Sequence, residues 1–249
     1  PPTPLETLFP HTTLFRSLRT LEDDRNQLYR FFYNTIKIKQ PKYFIAENVK
    51  GILSLGKGEA IKQIVADFEA AGYITSVNLV NMADYGVPQT RQRVIIIGQR
   101  VDLGKELRFI FPQPTHSKTG ELPQWVSIKE AIDHFPDPDK ENNVLNHVYS
   151  AYKVEYRNFT GHRKTDPDKP SPTILARGNG KGGVCAIPHY NGKRRLTIRE
   201  SASVQTFPED FHFVGTMNSC YRQIGNAVPV LFARKLGDEL VRLEKEENV

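Results

Sequence analysis

Two arginines two residues apart, at the end of the stretch Gln89–Arg93, could do chemistry together. If the stretch is extended, residues 89, 91 and 93 share one face. Two guanidinium groups on one face repel each other unless an anion or a carboxylate lies between them, and their planar donors suit a phosphate or the edge of a base. The alternative is a surface cluster that contributes only solubility.

A carboxyl group marks a second candidate position. Glu47, followed by Asn48, comes directly after the compact apolar run Tyr43–Ala46, which is typical of a buried strand. In open α/β sheets, ligands bind outside the carboxyl ends of the strands, so a carboxyl group there is well placed to meet one. The alternative is a solvated Glu47 that pairs with Lys42 or Lys50.

Other patterns do not indicate a site. Gly178–Gly183 matches G-x-G-x-x-G, but the residues after it read as a strand, whereas a dinucleotide site needs a helix N-terminus. We interpret the segment as a turn with Arg177 and Lys181 free to approach a phosphate backbone. The only two cysteines lie in an apolar strand (Cys185) and a polar turn (Cys220), so we expect both to be structural. Seven histidines without ligand spacing indicate no metal site.

The elements that position these groups alternate in the α/β manner. Prolines are scattered from about residue 99, which indicates a loop-rich small domain inserted into a larger one. Beyond it, Thr197 and Glu200 fit a capping box for a short helix, and Pro229 suits the start of a final helix. In chain order, apolar periodicity predicts a helix before Pro41, a strand over 43–46, a helix between Gly58 and Gly72, and strands over 73–82 and 93–98.

Composition limits the class of protein. With 249 residues, 39% hydrophobic content and a net charge of +6, the chain is an ordinary globular protein and neither collagen, coiled coil nor disordered. The positive excess permits a polyanionic partner without requiring one. The longest aliphatic run, Val94–Ile97, is too short for a membrane span, and residues 1–20 do not resemble a signal peptide. We therefore expect a soluble, intracellular, incomplete enzyme.

The first residues have a different character. Thr7–Ser17 resembles the translation of a sequencing adapter, and residues 1–17 show neither helical nor strand periodicity. We expect them to be a non-native leader, the alternative being a native tail rich in proline and threonine.

Four segments of the chain form an ordered set of motifs: Asp24–Asn26 with Pro41–Gly51, Tyr85–Arg93 (Q-x-R-x-R), Arg195–Glu200 continuing through Gln205–Pro208, and Tyr221–Pro229. This order is typical of DNA (cytosine-5) methyltransferases, and the chain resembles that family over residues 19–247. The resemblance implies a Rossmann-like sheet that uses S-adenosylmethionine, incomplete here, with an inserted target recognition domain. The implied divisions are a leader (1–17), catalytic half (18–98), recognition region (99–190) and return to the catalytic domain (191–249).

The resemblance also implies a reaction. Such enzymes flip a cytosine out of the duplex, add a cysteine thiolate to carbon 6 and methylate carbon 5 from S-adenosylmethionine. Glu47 would hold the base at N3 and the exocyclic amine as proton donor, and Asn48 would fix the backbone beside it. Arg93 would contact O2, and Arg91 would brace phosphate or the catalytic loop.

Further roles follow from the same resemblance. Asn226 and Ala227 would line the methionine end of the cofactor pocket, and Arg177 and Lys181 would contact double-stranded DNA. We expect a cytoplasmic monomer of prokaryotic or phage origin, which a cognate restriction endonuclease encoded nearby could accompany.

The chain also departs from the family. A Pro-Cys-Gln nucleophile motif is expected shortly before Asp24, and a glycine-containing cofactor loop before that, and neither is present. Ser203 stands where the family often has arginine. We interpret the first two departures as truncation and expect the 249 residues alone to be inactive. The alternatives are a non-catalytic DNA-binding or regulatory module, a relative that acts on tRNA, and a purely structural α/β domain.

Overall fold

The computed structural model describes residues 28–151, 154, 164–176 and 187–247, which form two compact units. The first unit contains the described residues up to Val80 together with Gln92–Ile110, and the second contains Asn81–Arg91 and the described residues from Phe111 onward. The elements in chain order are α1 (Leu28–Lys39), β1 (Tyr43–Val49), α2 (Glu59–Ala70), β2 (Tyr73–Asn81), β3 (Gln89–Thr90), β4 (Gln92–Arg100), α3 (Ile128–Ile132), β5 (Ser171–Pro172), α4 (Ile198–Val204), α5 (Met217–Asn226) and α6 (Val230–Glu247).

A three-stranded sheet in the order β1-β4-β2 forms the centre of the first unit. Strand β4 lies between the other two, and the aliphatic run Val94–Ile97 at its centre is buried, as expected for the middle strand of a covered sheet. Strand β1 runs antiparallel to β4. The fold is therefore mixed α/β, as the sequence predicts.

Aromatic rings fill the space between this sheet and its helices. The Phe44 and Phe68 ring centroids are 4.6 Å apart, and Tyr73 packs against Phe44 at 5.1 Å. The Phe44 ring lies so close to Gly98 that a Cβ there would come within 2.0 Å of it. Glycine at this position of the central strand is therefore required by the ring that covers it.

The periodic segments fold as predicted, with longer boundaries. Helices α1 and α2 and strands β1, β2 and β4 all occupy the segments that their apolar patterns indicate. Strand β1 continues three residues past Ala46 to Val49 before a 3-10 helix begins at Lys50, so Glu47 lies inside the strand and not after its end.

Helices dominate the second unit. Helices α3, α4 and α5 share a core in which Ile128, Leu196, Ala202 and Ile224 are almost completely buried. The two-residue strands β3 and β5 pair in parallel. Among the described residues, no helix is long and apolar enough to cross a membrane.

Two short helices of this unit were harder to predict. Helix α3 lies in the segment read as loop-rich, and Cys220 lies inside helix α5, so its assignment to a polar turn was wrong. Helix α5 is amphipathic but contains few apolar residues, so the segment resembles a polar turn in composition. Cys220 is nevertheless buried, as expected for a structural cysteine.

Glu200 anchors helix α4 in two ways. Its backbone N–H donates to the Thr197 hydroxyl while its carboxylate accepts from the Thr197 N–H, which confirms the predicted capping box. The same carboxylate accepts two hydrogen bonds of 2.7 Å from the Arg194 guanidinium. Glu200 is 1% exposed, so the pair is shielded from water.

We expect Glu200→Ala to lower the free energy of unfolding by about 3–5 kcal/mol, because it leaves the Arg194 charge buried without its partner. The control is Glu59→Ala, since Glu59 pairs with Lys62 at 3.0 Å on an exposed surface of α2 and such pairs contribute less than about 1 kcal/mol. Urea denaturation of both variants measures the difference. Equal losses would contradict a buried role for the Arg194–Glu200 pair.

Candidate functional site

Glu47 and Arg93 form an ion pair on one face of the sheet. Arg93 pairs with Val49 across the β1–β4 ladder, and Glu47 precedes Val49 by two residues, so Glu47 and Arg93 are diagonal neighbours on the same face. The Arg93 Nε lies 2.6 Å from Glu47 Oε1. The antiparallel register therefore joins two residues that are 46 positions apart in sequence.

The pair is partly shielded from water. The side chain of Arg93 is 12% exposed and that of Glu47 is 27% exposed. Burial lowers the pKa of Arg93 from its ordinary value, and the negative charge of Glu47 opposes that shift. Arg93 Nη1 also donates to the Gln92 carbonyl at 2.8 Å. The carboxylate thus faces a fixed cation at a position that a ligand can still reach.

The neighbouring polar groups are held separately. Lys50 donates to the Gln92 side chain at 3.0 Å, so the expected alternative of a Glu47–Lys50 pair is not formed. The Asn48 side-chain oxygen accepts from the Val49 N–H at 2.8 Å. Asn48 thus contacts the backbone of the following residue, and its role beside Glu47 stays a prediction.

Arg91 does not join Arg93 in a fork. Its side chain is 2% exposed in the second unit and donates to the carbonyls of Ile174, Gly225 and Ala227 at 3.1, 3.1 and 3.3 Å. Arg91 and Arg93 therefore bind different partners, and the role of Arg91 at phosphate or the catalytic loop stays a prediction.

The physical reason is a break in the strand at Arg91. Strand β3 ends at Thr90 and β4 begins at Gln92. The Arg91 N–H donates to the Asn81 side chain at 3.2 Å, and its carbonyl accepts from the Met82 N–H at 2.9 Å. The strand pairing is therefore interrupted at Arg91, where the backbone bonds to residues 81 and 82 instead.

A buried pair of glutamines continues the polar network around Arg91. Gln89 Nε2 donates to Gln205 Oε1 at 2.9 Å, and Gln89 Oε1 accepts from the Ile174 N–H at 3.0 Å. Gln205 Nε2 donates to the carbonyls of Ile224 and Ala227 at 2.7 and 3.2 Å. Sequence reasoning did not identify Gln205 as a functional candidate, because a glutamine at the end of a short helix is a common feature.

The remaining predicted residues have different outcomes. Asn226 is the last residue of α5 and is exposed, whereas Ala227 is half-buried and caps the helix. Arg177, Lys181 and Cys185 lie outside the described residues. Within the described part of the chain, no cluster of three histidine, cysteine, aspartate or glutamate residues could hold a metal ion.

Sequence comparison identifies the family. The family described as C-5 cytosine-specific DNA methylase matches residues 15–242. The chain belongs to this family. The order of the segments that contain Glu47, Arg93 and Asn226 agrees with that membership.

Several relatives of this chain are bacterial proteins. The type II methyltransferase M.NgoFVII of Neisseria gonorrhoeae is 40% identical over 232 residues, covering 84% of this chain and 61% of the relative. M.BsuRI of Bacillus subtilis is 37% identical over 247 residues, covering 89% of this chain and 54% of the relative. This chain thus spans less than two thirds of the length of these relatives.

Solved structures support the fold. A chain described as an E. coli prophage-encoded DNA modification methyltransferase has a TM-score of 0.68 at 23% identity, covering 90% of this chain and 75% of that one. The S. pombe Dnmt2 methyltransferase has a TM-score of 0.58 at 19% identity, with 90% and 74% coverage. At these identities the likeness concerns the fold alone.

Gly225 provides a test of the packing around the α5 terminus. A Cβ at this position would lie 2.6 Å from the backbone of Leu175 and Ala176, so Gly225→Ala should cost about 1–3 kcal/mol of unfolding free energy. Gly237→Ala is the matched control, because no atom lies within 4 Å of its Cβ position and alanine favours the α6 helix by about 0.5–1 kcal/mol. Thermal unfolding of both variants gives opposite signs if this packing holds.

Proposed function

We propose that the protein transfers a methyl group from S-adenosylmethionine to carbon 5 of a cytosine flipped out of a specific site in double-stranded DNA. Membership in the C-5 cytosine DNA methylase family supports the reaction class. The observation that carries the proposal is the Glu47–Arg93 pair, since an acceptor and a guanidinium on one face complement the edge of a pyrimidine.

Each member of the pair has a distinct task. The guanidinium of Arg93 donates to O2 of the base, and the carboxyl group of Glu47 contacts N3 and the exocyclic amine. A base that enters between the two side chains meets the Glu47 carboxyl group at N3, where general acid catalysis requires a shared proton.

The α5 terminus suits the methyl donor. Within the described part of the chain the Asn226 side chain makes no hydrogen bond, so its amide is open to a ligand. Asn226 and Ala227 would hold the methionine end of S-adenosylmethionine, which supplies an electrophilic methyl group when bound. The half-buried Ala227 would exclude water beside it.

The thiolate nucleophile is a separate requirement. Cys220 does not suit this role, because it is buried in α5 and its burial raises the pKa of the thiol. No Pro-Cys-Gln motif occurs in the 249 residues. We therefore propose that these residues alone transfer no methyl group.

The finer assignments belong to the same proposal. The three-stranded sheet would be part of a Rossmann-like sheet, and residues 99–190 would form the inserted recognition region, with Arg177 and Lys181 against DNA phosphates. The protein would act as a cytoplasmic monomer, and the type II names of the relatives support a cognate restriction endonuclease as its genetic partner.

The decisive experiment compares these 249 residues with the protein translated from the complete reading frame that contains them. Transfer of a labelled methyl group to duplex DNA and to tRNA is measured for both proteins. We expect transfer to DNA by the longer protein only. Activity of the 249 residues alone would contradict the required thiolate, and preference for tRNA would support the alternative substrate.

In the longer protein, Glu47→Gln should lower turnover at least about 100-fold, because the amide cannot donate the shared proton at N3. The affinity for duplex DNA should change by less than about threefold, since the substitution adds no charge and keeps the side-chain shape. Glu59→Gln controls for the loss of one negative charge on an exposed surface. Equal losses of turnover and DNA affinity would contradict the role of Glu47.

A further inference from the structure

Three polar side chains meet in the interior of the second unit. Gln89 and Gln205 are 0% exposed and Arg91 is 2% exposed. Burial of such groups is costly unless each finds hydrogen-bond partners. Most of their partners are backbone carbonyls at the end of helix α5, so this buried network binds that helix end.

The end of a helix needs the donors that this network supplies. The last four carbonyl groups of an α-helix have no intrahelical partner. Helix α5 ends at Asn226, and the carbonyls of Ile224 and Gly225 accept from Gln205 and Arg91 respectively. The Arg91 charge at this terminus also complements the helix dipole.

Ala227 is where the two donors converge. Its carbonyl accepts from Gln205 at 3.2 Å and from Arg91 at 3.3 Å. The carbonyls of Gly225 and Ala227, on either side of Asn226, thus accept hydrogen bonds from side chains outside the helix. The Asn226 side chain itself stays exposed. The network leaves the Asn226 side chain open and restrains the backbone that carries it.

Gln205 is the central member of this network. Its amide nitrogen binds two carbonyls of the turn, and its oxygen accepts from Gln89, which in turn holds the Ile174 N–H. We propose that Gln205 is a positioning residue, which fixes the turn 224–227 so that Asn226 meets the methionine end of the methyl donor. This inference rests on the proposed function of Asn226 and assigns no contact between Gln205 and the donor itself.

The test replaces Gln205 by methionine, which keeps length and volume but removes the amide donors. The matched control is Gln99→Met in the first unit. Gln99 is also 0% exposed, and it bridges the backbone in the same way, donating to the Glu106 carbonyl at 2.8 Å and accepting from the Arg108 N–H at 2.7 Å. Both variants lose comparable buried hydrogen bonds, so a general loss of stability affects them alike.

Two measurements are made on the protein from the complete reading frame. Steady-state kinetics should show a KM for S-adenosylmethionine about tenfold higher in Gln205→Met, with kcat within threefold of the parent and DNA affinity unchanged. Amide hydrogen exchange of residues 224–228 should be at least tenfold faster in this variant. Gln99→Met should change neither quantity.

The outcomes separate this inference from the proposed function. An unchanged KM in Gln205→Met, or an equal rise in Gln99→Met, would overturn the positioning role. Equal exchange rates at residues 224–228 in the two variants would overturn it as well. Absence of methyl transfer by the unsubstituted protein would instead contradict the proposed function, and faster exchange confined to Gln205→Met would then still support fixation of the turn by Gln205.

Discussion

A buried guanidinium needs hydrogen-bond acceptors for its N–H groups. The acceptors that Arg91 binds connect distant segments of the second unit. Its donors bind carbonyls of Ile174, Gly225 and Ala227, which belong to segments more than 80 residues away in sequence. These carbonyls lie at the end of helix α5 and after the short strand β5, where regular backbone hydrogen bonds stop. The Arg91 side chain supplies donors to them instead.

Arg93, two residues further along the chain, has the opposite surroundings. Its partner is a carboxylate that is still partly exposed, and the two charges neutralise each other without being sealed from water. Removal of Arg91 from its carbonyls would, by contrast, leave several buried groups unpaired. The two arginines of one motif therefore have different surroundings, Arg91 among buried backbone carbonyls and Arg93 beside a partly exposed carboxylate.

Local features of the fold could be read from the sequence, and distant pairings could not. The helices and strands of the first unit follow their apolar periods, and the Thr197–Glu200 capping box depends on residues three apart. The Glu47–Arg93 pair depends on the register of two strands, and its recognition required the family resemblance. The break at Arg91 and the Gln89–Gln205 contact arise from tertiary packing, for which a single sequence carries no periodic signal.

The burial of Cys220 has a consequence for the chemical durability of the protein. Oxidation of cysteine begins from an accessible thiolate, and this thiol is both covered by its neighbours and disfavoured in its ionised form. Peroxide or an alkylating reagent therefore reaches this sulfur only after helix α5 separates from its core. The sulfur of Cys220 is thus protected from oxidation as long as the helix that ends at Asn226 stays folded.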